Sequence, residues 1–560
     1  MPNGVGSRHL RGRLPTVKRT VAALVLLCGV ATRPIAADTY PKNPNVDAEH
    51  YRFAIGLRDD TDEIHGQADV DLRMLAAGVT DVDLDLAQPS ADRSGRGMRV
   101  SSVTTAGRPL TYRHENDRLH VTLTAPSAPG QLVRLTIAYD GVPATGLIIG
   151  PNKHGDRSFF SDNWPNKAHQ WLPLVDHISD KATCEFVVEA PAHYQVISNG
   201  LRVEETDLPG GRRRTVWKQS VPIAPWLFAL GVAHFAVQRV GEYEHVPIET
   251  WVYSQDRDAG FHDFAVPTRD VLAYFSEAIG PYSYEKLANV QSNSASGGME
   301  AASSIFYSGE SVTGARPIRW RNVVIHEIAH QWFGNAVTER DWDDVWLSEG
   351  FATYFTLLYI EHAYGRDEFV EGLKASRQTV LDFNVKYPNY RVVHPNLSDM
   401  SQVTTPQTYQ KGGWTLHMLR GVLGDEAFWT GIRAYYRRYR NANASTTDFR
   451  HAMEEAAGRD LGWFFDEWLY RGGVPAIDGR WHYDAGGKKL DIELTQTQAG
   501  DAFTVPIDIG IDVAGAPPRL ERVQVADRKA TFGIPCDRKP SAVTLDPRLW
   551  VLMDARFVER

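Results

Sequence analysis

Cysteine is scarce: three in 560 residues, and only Cys184 and Cys536 beyond residue 37. Two thiols cannot build the disulfide framework of a small secreted scaffold. Neither has a His or Cys at metal-ligand spacing, so both read as buried apolar side chains. Whether they bridge each other is left open. Long hydrophobic runs are lacking too. Residues 21–31 form an apolar run of about 11 residues, short of the roughly 20 that a membrane-crossing helix needs. No later stretch is long enough to cross. Basic charge is in deficit, with 60 Lys and Arg against 69 Asp and Glu, a net charge of −9. That balance argues against nucleic acid as a partner. No repeat at solenoid spacing and no low-complexity tract is found. What remains is 43% apolar, 23% charged and 11% aromatic, an ordinary globular composition too long for one core.

The basic residues that exist are unevenly placed. Arg8, Arg11, Arg13, Lys18, Arg19 and Arg33 fall in the first 37 residues, which contain no acid. A basic start, a short apolar run and the small pair Ala36-Ala37 have the order of a secretory signal. Cys28 follows the bulky Leu27, so no lipid anchor is expected. Removing the leader takes the formal charge from −9 to −15. The expectation is an exported protein, periplasmic or extracellular, with no integral span after signal removal.

Residues 38–245 alternate apolar and polar with period two, as in Tyr51, Phe53, Ile55 and Leu57 or Leu135, Ile137 and Tyr139. Such runs, broken by Gly, Pro and Asp, predict antiparallel strands. Residues 246–473 switch to helical spacing over 271–279, 323–333, 347–364, 409–423 and 428–439, with last helices within 448–470. Ser445 and Asp448 form a capping-box pattern, and Gly472-Gly473 with Pro475 stops the helix. Residues 474–560 return to alternation at Leu490, Ile492, Leu494 and at Ile507, Ile509, Ile511.

One segment carries chemistry outright. Residues 326–330 read His-Glu-Ile-Ala-His. At i and i+4 of a helix, His326 and His330 share a face and can both point at one zinc ion. Glu327 stands beside the open position, where it can take a proton from water and deliver it to a leaving amine. The surrounding Val323, Val324, Ile325 and Ile328 bury this helix, and buried imidazole and carboxylate need a partner. Eighteen residues separate His330 from Glu349, which opens a second apolar helix. A turn between two helices can return Glu349 to the same ion. Three N, N, O ligands leave a fourth position for water, the catalytic zinc pattern. Cobalt or manganese could replace zinc in vitro.

The segment HEIAHQWFGNAVTERDWDDVWLSEGFATYF at 326–355 resembles the zinc-binding segment of the M1 family of aminopeptidases. QWLPLVDHISDKATCEF at 170–186 resembles that family's N-terminal signature. GGMEA at 297–301 resembles its GxMEN exopeptidase motif, TYQKGGWTLHML at 408–419 its Tyr-x-Lys-Gly segment, and FFDEWLYRGGVP at 464–475 the end of its catalytic domain. The matches follow the family's order over most of residues 40–480.

The resemblance implies one zinc per chain on His326, His330 and Glu349, and hydrolysis of N-terminal residues from peptides. Glu327 would be general base, then acid, and Tyr409 would hydrogen-bond the developing oxyanion. Glu300 would pair with the substrate ammonium, with Gly297, Gly298 and Met299 lining the substrate and the glycines letting its backbone approach. The run 287–291 is expected to be the edge strand to which a peptide adds. Three departures stand out. Ala301 replaces the usual Asn. Ser-Asp-Asn-Trp-Pro at 161–165 replaces a Thr-Gln segment, leaving Asp162 either a contact to the amine or a loop-structuring residue. No counterpart is expected here of the helical domain that covers the site in larger members. His417 reads as a core or helix-face histidine.

The expected fold is multidomain α+β. A signal at 1–37 precedes an N-terminal antiparallel β domain at 38–245, a thermolysin-like α+β catalytic domain at 246–473 and a small β-sandwich-like module at 474–560. Three alternatives remain: a non-catalytic peptide-binding relative, an epoxide-hydrolase side activity on the same zinc site, and an endopeptidase. The oligomeric state is not legible.

Overall fold

The computed structural model describes residues 40–397 and 399–560, with the Val266 side chain left out. The expected leader lies outside the described residues. No described helix is long and apolar enough to cross a membrane.

The alternating segments pair as expected. An eight-stranded sheet runs in the order Leu201–Leu208, Arg212–Ile223, Ala182–Pro191, Val46–Gly56, Ile64–Met74, Leu132–Val142, Gly97–Thr105, Arg108–Pro109. Its inward residues, including Tyr51, Phe53, Val70, Leu135 and Phe186, are buried while their neighbours face outward. One pairing corrects the purely antiparallel expectation: Val46–Gly56 runs parallel to Ala182–Pro191. Strands far apart in sequence are free of the hairpin constraint that forces antiparallel neighbours. Smaller three- and four-stranded sheets complete this region.

The next region holds a five-stranded mixed sheet and eight α-helices. The sheet order is Phe235–Tyr243, Val246–Tyr253, Leu287–Ser292, Ser304–Ser308, Gly298–Met299. The run around 287–291 is therefore a central strand, not the edge. All of Leu287–Ser292 is buried, and it bonds to neighbours on both sides. The edge is the two-residue strand Gly298–Met299. The helices are α1 (Arg257–Ala278), α2 (Ile318–His330), α3 (Trp346–Tyr364), α4 (Arg366–Lys386), α5 (Gly412–Leu423), α6 (Asp425–Tyr439), α7 (Thr446–Ala457) and α8 (Gly462–Trp468). The Ser445–Asp448 capping box at α7 is fully formed.

Helix α4 was not marked by periodicity. Only Phe369, Leu373 and Val380 of its 21 residues are buried apolar contacts, too sparse a stripe for the pattern to register. Helix α3 is the opposite case. Trp346, Phe351, Phe355 and Tyr359 are buried on several faces, which makes it a central pillar.

Lysines tie the regions together. Lys181 Nζ donates to the carbonyls of Asn335 (2.9 Å) and Ala336 (3.0 Å). Lys286 Nζ donates to those of Ser198 (2.7 Å) and Gly200 (2.6 Å). An ammonium donating to carbonyls pairs backbone oxygens that would otherwise be buried unsatisfied. The C-terminal residues form a four-stranded and a three-stranded sheet, whose inward side chains include Leu490, Ile492, Ile507 and Ile509. His417 lies in the core, its Nε2 2.8 Å from the Leu549 carbonyl. Cys184 and Cys536 are both buried and unbridged.

Candidate metal centre and its cavity

Helix α2 ends in the His-Glu-Ile-Ala-His turn, and its last turn carries His326 and His330 on one face. Their Nε2 atoms lie 3.0 Å apart. Glu349, in the first turn of α3, brings Oε2 to 3.3 Å from His326 Nε2 and 3.2 Å from His330 Nε2. A tetrahedral ion with bonds of about 2.0 Å has donor–donor edges of about 3.3 Å. The three donors therefore fit three corners of a zinc polyhedron. His330 Nδ1 faces the Phe333 carbonyl at 3.2 Å and Ser348 Oγ at 3.0 Å. Donation from Nδ1 to that carbonyl fixes the tautomer and leaves Nε2 as the ligand atom. Glu300, Glu327 and His330 form an overlapping acidic cluster, but the engaged Nδ1 favours the His326, His330, Glu349 set.

Close packing holds Glu349 in place. A Cβ on Gly350 would stand 2.9 Å from the Gly412 backbone, so α3 and the start of α5 approach to contact distance. The residues before α5, Gln407–Lys411, form a π-helical turn. Tyr409 sits in that turn, outside the α-helix expected from 409. Its hydroxyl donates to Glu349 Oε1 at 2.8 Å, and its ring stacks near His326. Lys411 Nζ donates to the carbonyls of Arg471 and Gly473 (3.1 and 3.0 Å), clamping the turn to the chain beyond α8. Such π turns occur often at functional sites because one extra residue re-aims a side chain.

Glu327 is buried and lines the cavity. The edge strand passes directly over it. A Cβ on Gly298 would come within 2.3 Å of the Glu327 carboxyl carbon, whereas one on Gly297 would meet nothing. The two glycines thus differ: Gly297 is open, and Gly298 makes room for the Glu327 carboxylate. Gly298→Ala is expected to leave the fold intact and turn Glu327 aside, lowering kcat by roughly 100-fold. Turnover with an unchanged melting temperature checks this.

Glu300 lies 5% exposed at the cavity wall. Its Oε1 has no hydrogen-bond partner and lies 3.9 Å from His330 Nδ1. Its carbonyl accepts from Gln331 Nε2 (3.0 Å) and Asn335 Nδ2 (2.6 Å), and Gln331 Oε1 accepts from Ser303 N–H. Sequence reading missed Gln331 and Asn335. The available signal was a pair of amides just past the second histidine in an apolar stretch. They pin the loop at Ala301.

The electrostatics are those of several carboxyl groups crowded around two imidazoles. Burial and then the Glu300 charge push Glu327 far above the usual carboxylate range. Burial raises Glu300 to about 7, with His330 opposing and Glu349 adding. Burial would also raise Glu349, but the His330 charge and hydrogen bonds from both imidazoles bring it down to about 2. Burial works against a charged His330, yet Glu300 and Glu349 lift it to about 10. The crowding of three carboxyl groups around two imidazoles is what drives these opposed shifts, and a divalent ion at the triad would relieve it.

The centre opens on a cavity of about 800 Å³. Its lining includes Asp162, Trp164 and Met299, together with Thr356 and Ile360 of α3 and Ala375 of α4. Asp162 lines the cavity as expected, but its carboxylate is paired with Lys167 Nζ.

Donors of this kind, spaced as an HExxH centre with a distant glutamate and set in an α+β scaffold, define a metal site of the gluzincin type. The comparisons agree. The description "Peptidase M1 N-terminal domain" matches residues 47–227, and "Peptidase family M1 domain" matches residues 267–468. The chain belongs to peptidase family M1. The glutamyl aminopeptidase of Bitis rhinoceros is 28% identical over 354 residues, 60% of this chain and 35% of that protein. The probable aminopeptidase 2 of Sulfurisphaera tokodaii is 24% identical over 472 residues, 80% of this chain and 58% of that protein. The chain thus spans between about a third and three-fifths of the length of these curated relatives. A crystal structure of an M1 zinc metallopeptidase from Deinococcus radiodurans superposes with a TM-score of 0.63 at 24% identity, covering 75% of this chain and 93% of that one. It shares the fold.

Proposed function

We propose that the chain is a zinc-dependent aminopeptidase that removes N-terminal residues from peptides, one zinc ion being held by His326, His330 and Glu349. The observation that carries the reading is Glu300: a buried carboxylate oxygen without a hydrogen-bond partner, in the cavity lining beside the donor triad. An exopeptidase needs a fixed anion at that distance to hold the substrate ammonium and reject blocked chains. Zinc, when bound, supplies a Lewis acid that polarises the scissile carbonyl and acidifies water.

The chain's own groups do the rest. Glu327, beside the first histidine ligand, takes the proton of the attacking water and passes it to the leaving amine. The Tyr409 hydroxyl turns from Glu349 to the substrate oxygen as negative charge develops there. Met299 and the open backbone at Gly297 lie along the bound peptide. Tyr409→Phe is expected to keep its zinc and lose about 100- to 1,000-fold in kcat. A binding-only relative would have no use for an intact base and donor set. The basic, apolar and small-residue pattern of residues 1–37 supports export to the periplasm or beyond.

The test is a panel of aminoacyl anilides, each free and N-acetylated. Cleavage confined to the free amines supports the reading, and equal cleavage of the acetylated set removes Glu300 from its role.

A further inference from the structure

Among the described residues, no lysine or arginine lines the cavity, whereas Asp162, Glu300, Glu327 and Glu349 do. One of these acids, Asp162, is paired with a cation outside the lining. Lys167 Nζ is bound to Asp162 Oδ2, with the two side chains 30% and 27% exposed. The pair is local and well held. Lys167 N–H donates to the Asn163 carbonyl (2.8 Å) and Asp162 N–H to that of Gly146 (2.8 Å). Asn163 donates to the Phe228 carbonyl (2.8 Å) and accepts from Trp171 Nε1 (3.0 Å). Trp164 also lines the cavity and is packed edge-on against Trp226 and Trp342 with ring centroids 4.9 Å away in each case.

This inference rests on the aminopeptidase reading, in which Glu300 holds the ammonium. The side chain of that same residue then enters the cavity that Glu300 lines together with Met299, Trp164 and Asp162. The acids in the lining, Asp162, Glu300, Glu327 and Glu349, suit a substrate ammonium. A carboxylate on the N-terminal side chain has no counter-charge left, because Asp162 already holds the Lys167 ammonium.

We propose that the Asp162–Lys167 pair sets the charge specificity of the pocket for the N-terminal side chain, masking the lysine so that neutral residues are accepted and acidic ones refused. Asp162 is then a specificity determinant acting through Lys167 rather than a ligand of the substrate amine. Trp164 provides the apolar floor, suited to aliphatic and aromatic side chains.

The two partners make opposite predictions. Asp162→Asn frees the lysine, and Lys167→Met frees the aspartate. The experiment compares kcat/KM of the zinc-loaded full chain and both variants on alanyl, glutamyl and arginyl anilides. The expected wild-type glutamyl rate is roughly 100-fold or more below the alanyl rate, since like charges in a desolvated site are strongly disfavoured. Asp162→Asn is expected to raise the glutamyl-to-alanyl ratio by roughly 10-fold, and Lys167→Met to raise the arginyl-to-alanyl ratio similarly. A loss of packing would shift both ratios alike. Wild-type preference for glutamyl substrates, the activity named for several relatives, would overturn the proposal. So would variants whose ratios move together or not at all. If neither variant folds, the wild-type ratio alone decides. Failure of all three wild-type substrates would instead count against the aminopeptidase reading itself.

Discussion

Glu327→Gln is expected to retain one zinc per chain and to lose about 100- to 10,000-fold in kcat, the range set by general acid–base catalysis. The substitution keeps the side chain's length and its place beneath Gly298, so packing over the carboxylate is preserved. It removes only the ability to accept a proton. Glu327 is not among the three converging donors, which lie within 3.3 Å of one another. Metal content should therefore not change. Burial and the neighbouring Glu300 push the Glu327 proton affinity upward. A neutral amide relieves that repulsion, so the variant should be no less stable than the parent. Turnover falling together with zinc content would instead assign Glu327 to the ligand set.

Glu349→Ala is expected to abolish measurable turnover by a different route, through loss of the metal. It removes one of three protein ligands and leaves Tyr409 without the carboxylate to which it donates at 2.8 Å. The two imidazoles alone hold a divalent ion far more weakly. Because a ligand that binds only the native state stabilises it, chelation should lower the melting temperature of the parent and leave that of Glu349→Ala unchanged. Zinc analysis and a melting curve with and without chelator read both effects. Retention of stoichiometric zinc by the variant would mean that Glu300 or Glu327 completes the site.

The convergence of His326, His330 and Glu349 was legible because its information is local. Two histidines four residues apart need only a helix to converge, and the apolar residues around them specify that helix. Glu349 required one more step, a return between two helices, which the apolar run of α3 made readable. The β regions were legible from period-two alternation, though the parallel pairing of Val46–Gly56 with Ala182–Pro191 was not, since register between distant strands has no local signature.

Other features were hidden for related reasons. The π turn at Gln407–Lys411 differs from an α-helix by one residue of register, below the resolution of any periodicity argument. Helix α4 presents small and polar residues to a cavity rather than a stripe to a core. The edge strand Gly298–Met299 is two residues long, and its site of action is set by contact with Glu327. Lys167 carries no signal in the sequence; only the fold pairs it with Asp162, which lines the cavity.

Stepwise return of zinc to chelated protein, with hydrolysis of alanyl anilide and its N-acetyl form followed together, tests the central claim most directly. The account predicts that activity on the free amine rises linearly and saturates at one zinc per chain, while the acetylated substrate stays uncut. Saturated protein that cleaves neither substrate, or both equally, would contradict it.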